Sequence, residues 1–395
     1  MLHRAVYALP HPAPLKGAVL ACGAWFKNSA CLLDGATLQW PAEHGDLEQP
    51  AACAALAATV RDLAARAATR LRALAHDLHP DFFSTILAQQ LAQQFGVPAL
   101  AVQHHHAHVA AVVAEAGLDG PVLGLALDGV GLGNDGTAWG GELLGVEAGR
   151  CVRLGHLWPL RLPGGDVAAR QPWRLAASAL DALGQAQAIV PRLAPQVGEA
   201  AAQAVAQLLQ RGLACPATSS AGRWFDAAAA LLGLAPVQQR EAEAARALQE
   251  AAQRALAREP DLRPDAAATL TAEGVLDLRP LLLPLRAVEG GDALARERAA
   301  AAFHLGLADA LVAWVAAASA RWPARAVVLG GGCWANALLR ARVTRGLRAQ
   351  GWDVHMAQWR GPGDAGLALG QAWVAAHVLA TAEAPGAVAV VQEDA

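Results

Sequence analysis

Apolar positions along this chain come in short blocks, separated by glycine, proline and polar clusters, and block length and period select the elements. Residues 18–38 hold two apolar runs, Ala18 to Cys22 and Cys31 to Leu33, and read as a β-hairpin with its tip at Gly23 to Asn28. Residues 50–75, rich in Ala, Arg and Leu, read as an amphipathic helix. Ala75 to Asp81 carries two histidines and two aspartates; it is a site or a polar strand-to-helix turn, and the turn is the favoured reading. Ala99 to Val102, after Pro98, reads as a brief buried strand, and Val109 to Ala116 as a helix. Val122 to Leu127 is a buried-type strand that ends at Asp128, followed by a glycine-rich hairpin to Thr137 and a returning strand, Trp139 to Leu144. Arg161 to Asp166 forms a turn. Ala-rich helices dominate 167–310, broken at Thr218 to Asp226, where a new helix runs to Leu232. Val327 to Leu329 is a short strand leading into Gly330 to Asn336, and Gly361 to Gly366 opens a helix over 367–382. Residues 1–16 read as a loose extension, and the tail from 383 to 395 has no clear pattern.

The repeated sequence of strand, glycine loop and helix start predicts an α/β fold of two related lobes with a nucleotide cleft between them. The boundaries expected are 17–118 for the first lobe and 119–382 for the second, with the helical insertion at about 167–310. No glycine fingerprint with a following acidic residue opens the chain, which argues against a single dinucleotide-binding sheet. The chain has two lysines, Lys16 and Lys27, and no G-x-x-x-x-G-K-[ST], so a P-loop is excluded. A bound phosphate must then be held by backbone amides, arginines or a metal.

Composition narrows the class. The 395 residues suffice for a substantial core, and no apolar run approaches the roughly 20 residues of a membrane span. Met1 to Lys16 lacks the apolar core of a signal peptide, so a cytoplasmic location is expected. The net charge of −3 and the lack of a basic tract count against nucleic acid as a partner. Six scattered cysteines without C-x-x-C predict reduced, mostly buried thiols.

The chemistry concentrates at residues 102–108, Val-Gln-His-His-His-Ala-His, where a strand hands over to a helix and four of the thirteen histidines fall within five positions. Ligands gather at the carboxyl ends of strands in open α/β sheets. His104 and His108 have i, i+4 spacing, which puts their Cβ atoms about 6 Å apart on one helix face. They form a candidate pair for a divalent ion such as zinc or iron, while His105 and His106 point elsewhere. The competing reading is four helix-start histidines that only hydrogen-bond. Asp128, at the end of an apolar strand, needs a partner for its buried carboxylate. The loop from Gly129 through Gly131, Gly133, Asp135 and Gly136 to Thr137 offers amides to a phosphate, as does the helix start at Gly222.

Taken together and in order, these junctions closely resemble the C-terminal part of the HypF family, the carbamoyltransferases of nickel–iron hydrogenase maturation. The resemblance spans about residues 17–380. It rests above all on Gln-His-His-His-Ala-His joined to Asp-Gly-x-Gly-x-Gly-x-Asp-Gly-Thr, with Gly23 to Cys31, Ala75 to Asp81, Pro163-Gly164-Gly165-Asp166, Thr218 to Asp226, Gly331 to Asn336 and Asp364 to Gln371. The family is similar to the threonylcarbamoyl-transferring tRNA-modification enzymes, and the resemblance implies the actin/Hsp70/sugar-kinase fold. The acylphosphatase-like domain, zinc motifs and adenylate-forming domain of full-length members are not visible, so a truncated form is expected. Here Gly331-Gly332-Cys333-Trp334-Ala335-Asn336 stands for the usual Gly-Gly-Val before Phe-Gln-Asn, and Asp364-Ala365-Gly366 for Asp-Gly-Gly.

The resemblance implies ATP-dependent transfer of a carbamoyl group, from carbamoyl phosphate via carbamoyl adenylate, to the C-terminal cysteine of the partner HypE. HypE then turns it into the cyanide ligand of the hydrogenase iron. Metal ligands fall on His104, His108 and Asp364, and these three with Asp128 make up the expected catalytic set. Nucleotide contacts fall on Asp128, Gly129, Gly131, Gly133, Asp135, Gly136, Thr137, Gly222, Gly331, Gly332 and Asn336. The alternatives are a tRNA or small-molecule (threonyl)carbamoyltransferase and an inactive scaffold that binds HypE. A metallopeptidase is disfavoured, because H-x-x-x-H lacks the glutamate of H-E-x-x-H.

Overall fold

The computed structural model describes residues 5–288 and 292–384. Its strands are β1 (Val6–Ala8), β2 (Ala18–Ala21), β3 (Cys31–Asp34), β4 (Thr37–Gln39), β5 (Leu71–Asp77), β6 (Ala99–Val102), β7 (Val122–Leu132), β8 (Ala138–Glu147), β9 (Arg150–His156), β10 (Leu160–Arg161), β11 (Ala217–Thr218), β12 (Thr269–Leu270), β13 (Leu276–Asp277), β14 (Ala326–Gly330) and β15 (Asp353–Met356). The helices are α1 (Pro50–Ala65), α2 (Phe83–Phe95), α3 (His104–Ala116), α4 (Val167–Arg170), α5 (Pro172–Ala182), α6 (Ile189–Val197), α7 (Glu199–Arg211), α8 (Ala221–Leu231), α9 (Glu243–Arg258), α10 (Arg279–Ala287), α11 (Ala293–Ala318), α12 (Ala337–Ala349) and α13 (Leu367–Glu383).

Two sheets carry the lobes, and they repeat one topology. In the first, β4, β3, β2, β5 and β6 lie side by side, with β2 antiparallel to β3 and parallel to β5. In the second, β9, β8, β7, β14 and β15 follow the same order and the same directions. The helices that follow match as well. α3 leaves the last strand of the first sheet and α13 leaves the last strand of the second, and these two helices pack along one another. The expected pair of related lobes is therefore present.

The α3–α13 contact is tight because it is made of small residues. A Cβ added to Gly370 would lie 1.8 Å from the Ala107 carbonyl oxygen. Only glycine lets the two backbones approach this closely. Both helices are buried on nearly every face along most of their length, as helices enclosed on all sides are.

Several expectations need correction. Residues 50–75 are not one helix: α1 ends at Ala65, and Leu71–Asp77 is β5. Parallel pairing with β2 on one side and β6 on the other overrides the helix propensity of its alanines and leucines. The described part of the expected loose extension is tied down. β1 pairs with β4, and Leu9, Ala13 and Leu15 are buried in the first lobe. Residues 1–4 and 385–395 of the expected extension and tail lie outside the described residues. Two helical stretches, Ala293–Ala318 and Asp364–Glu383, are after all long and apolar enough to cross a membrane. Their most apolar windows are 78% and 67% buried in the fold, which is what core helices of a large domain require.

Candidate metal centre

The histidine motif sits where its sequence placed it, at the junction of β6 and α3. Gln103 is the N-cap: its Oε1 accepts the His106 amide at 2.8 Å, and its Nε2 donates to His105 Nδ1 at 2.9 Å. The cap fixes the first helical turn, and with it the directions of the four imidazoles. His104 and His108 face the same point. His105 turns toward Trp139, at 6.0 Å between ring centres, and His106 packs inward. Burial pulls both of these off-site imidazoles down, His106 to about 4, so they are neutral at physiological pH.

Asp128 meets the histidines through an irregularity in β7. The strand continues to Leu132 rather than stopping at Leu127, but its pairing with β8 shifts register between Leu127 and Gly131. A bulge of this kind re-aims a side chain. Here it places Asp128 Oδ2 at 3.1 Å from His108 Nε2 and 3.3 Å from His104 Nε2. The Gly332 amide donates to Asp128 Oδ1 at 3.0 Å. Asp364, in the turn before α13, brings its Oδ1 to 3.5 Å from His108 Nε2 and 3.8 Å from His104 Nε2.

Among the described residues, His104, His108, Asp128 and Asp364 form one group whose ligand atoms lie within 4.8 Å of one another. The donor set suits a divalent metal: two neutral-capable imidazoles and two carboxylates around one point, three of the four side chains buried. The second nitrogen of His104 also fits. Its Nδ1 lies 2.7 Å from Asp77 Oδ2, the carboxylate–histidine arrangement that orients a metal-binding ring. Burial pulls the His104 imidazole down, but Asp77, Asp128 and Asp364 outweigh it and hold it well above its ordinary value. Burial likewise pushes the Asp128 carboxyl up, while hydrogen bonds from His104 and His108 hold it well below the usual carboxylate range. Without a metal, protons on the imidazoles neutralise the carboxylates; a divalent cation can replace them.

Asp77 is the residue the sequence reading missed. It stands at the end of β5, fully buried, in the stretch for which a turn was the favoured reading, and its other oxygen accepts the His79 amide at 2.9 Å.

The other candidates divide. Gly129, Gly222 and Gly332 converge around Asp128: a Cβ on Gly222 would lie 3.1 Å from Gly129 Cα, and one on Gly332 3.1 Å from Asp128 Oδ1. Ser220 ties the group together by donating to the Asp128 and Gly129 carbonyls at 2.9 and 2.6 Å. Gly331 passes close to the Leu127 carbonyl with φ +98°, a conformation suited to glycine. By contrast, Gly131 makes room for His104 and His105, and Gly133 for Trp139. Asp135 accepts from the Thr137 amide and hydroxyl, Trp139 Nε1 and Arg153 Nη1, at 2.7–3.2 Å, so it and Thr137 close the hairpin. Gly136 lies in the same turn with φ +74°. Asn336 caps α12 through the Leu339 amide and donates to His304 Nε2 at 3.0 Å.

Two family descriptions match this chain: "HypF Kae1-like domain" over residues 14–115, and "Carbamoyltransferase, Kae1-like Domain, second subdomain" over residues 124–371. The chain belongs to the HypF carbamoyltransferase family. It is 55% identical to the carbamoyltransferase HypF homolog of Cupriavidus necator over 371 residues, 93% of each chain. Carbamoyltransferase HypF2 of the same organism is 46% identical over 380 residues, which are 90% of this chain and 46% of that one. A crystal structure of full-length HypF in the phosphate- and nucleotide-bound form superposes with a TM-score of 0.80 at 27% identity, covering 95% of this chain and 57% of that one. The HypF of T. kodakarensis gives the same TM-score at 28% identity, covering 94% and 49%. The chain thus spans about half the length of HypF2 and of these two HypF structures, and nearly all of the homolog.

Proposed function

We propose that this HypF-family chain moves a carbamoyl group, activated from carbamoyl phosphate and ATP as carbamoyl adenylate, to the C-terminal cysteine thiol of HypE in nickel–iron hydrogenase maturation. The observation that carries this reading is the buried cluster of His104, His108, Asp128 and Asp364 in a chain of this family. Zinc or iron would be held by His104, His108 and Asp364, with Asp128 in reach, and would supply Lewis-acid stabilisation of charge on ligand oxygens.

The chain's own groups prepare that site. Asp77 keeps a proton on His104 Nδ1 and so turns the Nε2 lone pair toward the cluster. The Gly332 amide fixes Asp128. Gly129, Gly222 and Gly332 leave backbone room for an anion beside it. In the transfer, a bond forms between the acceptor sulfur and the carbamoyl carbon, the bond from that carbon to the phosphate oxygen breaks, AMP leaves with the electron pair, and the thiol proton is lost to solvent.

The nucleophile comes from outside the chain. The six cysteines are free, and burial raises the Cys31 and Cys333 thiols, so neither is a ready thiolate near neutral pH. A protein thiol fits this chain better than tRNA, given the net charge of −3 and no basic tract. The reduced cysteines suit a cytoplasmic location.

The test incubates the chain with HypE and synthetic carbamoyl adenylate. A gain of ~43 Da on the HypE C-terminal cysteine, carbamoyl replacing hydrogen, is the expected result. No adduct with the adenylate supplied would favour a scaffold that binds HypE without transfer.

A further inference from the structure

We infer that Lys27 is the cation that receives the anionic group of the cleft ligand, and that Glu241 holds this lysine until the ligand arrives. The inference rests on the nucleotide-dependent reading above and deepens it. The chain has only two lysines and no P-loop, so a phosphate-binding ammonium has few places to come from. Lys16 is not one of them: it lies on the approach to β2, where its carbonyl accepts from Arg72.

Lys27 stands at the tip between β2 and β3, on a loop fixed to the metal centre. Ser29 Oγ donates to the carbonyl of Ala365, the residue after Asp364, at 2.8 Å. Gln371 of α13 bonds both the amide and the carbonyl of Gly23, at 2.9 and 3.2 Å. Asn28 Nδ2 donates to the Cys22 and Ala24 carbonyls, each at 2.8 Å. Lys27 itself has φ +44°, left-handed for a residue with a Cβ, and its amide donates to Asp46 Oδ1 at 2.9 Å. Such a conformation persists where the surroundings over-determine it, and it recurs at functional sites.

The side chain bridges the lobes. Lys27 Nζ donates to both carboxylate oxygens of Glu241, at 2.8 and 3.0 Å, and Glu241 lies in the second lobe's insertion just before α9. Burial lowers the Lys27 pKa, yet Glu241, Asp364 and Asp128 together raise it, so the ammonium feels both cleft carboxylates. The pair is half exposed on the lysine side and largely exposed on the glutamate side. Exposed pairs are weak and readily exchanged, whereas a phosphate offers more charge and stronger charge-assisted bonds. A lysine parked on a weak partner beside an acidic metal centre is therefore free to move to a phosphate oxygen.

Competition and a simple strap between lobes predict different signs. ATP with magnesium, and adenosine as the phosphate-free control, are titrated calorimetrically into wild type, Lys27→Met, Glu241→Gln and the double variant, with thermal melts confirming the fold. Lys27→Met should weaken ATP about tenfold or more, from the loss of a charge-assisted bond, and leave adenosine unchanged. Glu241→Gln should tighten ATP roughly two- to fivefold, the worth of an exposed pair. The double variant should match Lys27→Met. Shifts of the same sign in the two single variants, or ATP binding unchanged in Lys27→Met, would overturn the inference while leaving the nucleotide reading intact. Wild type that binds no ATP at millimolar concentration would overturn both.

Discussion

His104 Nδ1 lies 2.7 Å from Asp77 Oδ2, although 27 residues separate them in sequence, and both side chains are buried. Parallel pairing of β5 with β6 sets Asp77 beside Val102, two positions before His104, and so brings the carboxylate under the ring. The contact orients a metal-facing imidazole from behind, so its effect should appear in metal affinity before it appears in folding. Asp77→Asn, titrated with zinc against a chelator, is expected to bind about 10- to 100-fold more weakly than wild type, the usual cost of losing such a partner. Equal affinity would show that the contact is only structural.

The close approach of α13 to Ala107 makes Gly370 the most tightly packed of the described glycines. Gly370→Ala forces a methyl into a carbonyl oxygen, and the two helices must separate. A destabilisation of about 1–3 kcal/mol or more is expected in urea melts. Gly363→Ala is the control: nothing lies near its added Cβ and its φ is −91°, so its midpoint should stay near that of wild type.

His304 gives a pH signature away from the metal centre. It is fully buried in α11, donates from Nδ1 to the Ala300 carbonyl and accepts from Asn336 at Nε2, so it is held neutral. Burial pushes its imidazole down to about 4. The unfolded chain, with an ordinary histidine near 6.5, takes up the proton first as the pH falls. The stabilisation is therefore complete above about pH 6.5 and is lost between there and about pH 4, to the extent of ~3 kcal/mol. The slope of stability against pH in that window should be shallower in His304→Gln than in wild type. Identical slopes would place the titration elsewhere.

The histidine motif was legible because its information is local. The end of a strand and i, i+4 spacing lie within the seven residues 102–108, and the structure keeps both; the capping role of Gln103 emerges only from the structure. The convergence of Asp128 and Asp364 on that pair was expected only through family resemblance, since one arrives from a bulge in β7 and the other from the far end of the second lobe. Asp77 was legible only as one polar residue in a stretch that could be a site or a turn, with no partner assigned. A buried carboxylate and a solvated turn look alike in a stretch such as His76-Asp77-Leu78-His79, and only the pairing of β5 between β2 and β6 separates them. The same pairing makes strand of Leu71 to Ala75, the end of the expected helix, and of His76 and Asp77, expected in the turn. The glycines of the 129–137 hairpin were read as one phosphate loop. Their neighbours divide them: Gly131 and Gly133 answer to the bulk of histidine and tryptophan rings, which no short-range pattern reports.

The central claim is that His104, His108 and the carboxylates beside them hold one divalent metal. Elemental analysis of the purified chain and of its His104→Ala/His108→Ala variant, both folded by circular dichroism, tests it most directly. The expected result is about one equivalent of zinc or iron per wild-type chain, from a single four-residue donor set, and none above background in the variant. Equal metal content in the two proteins would contradict the assignment.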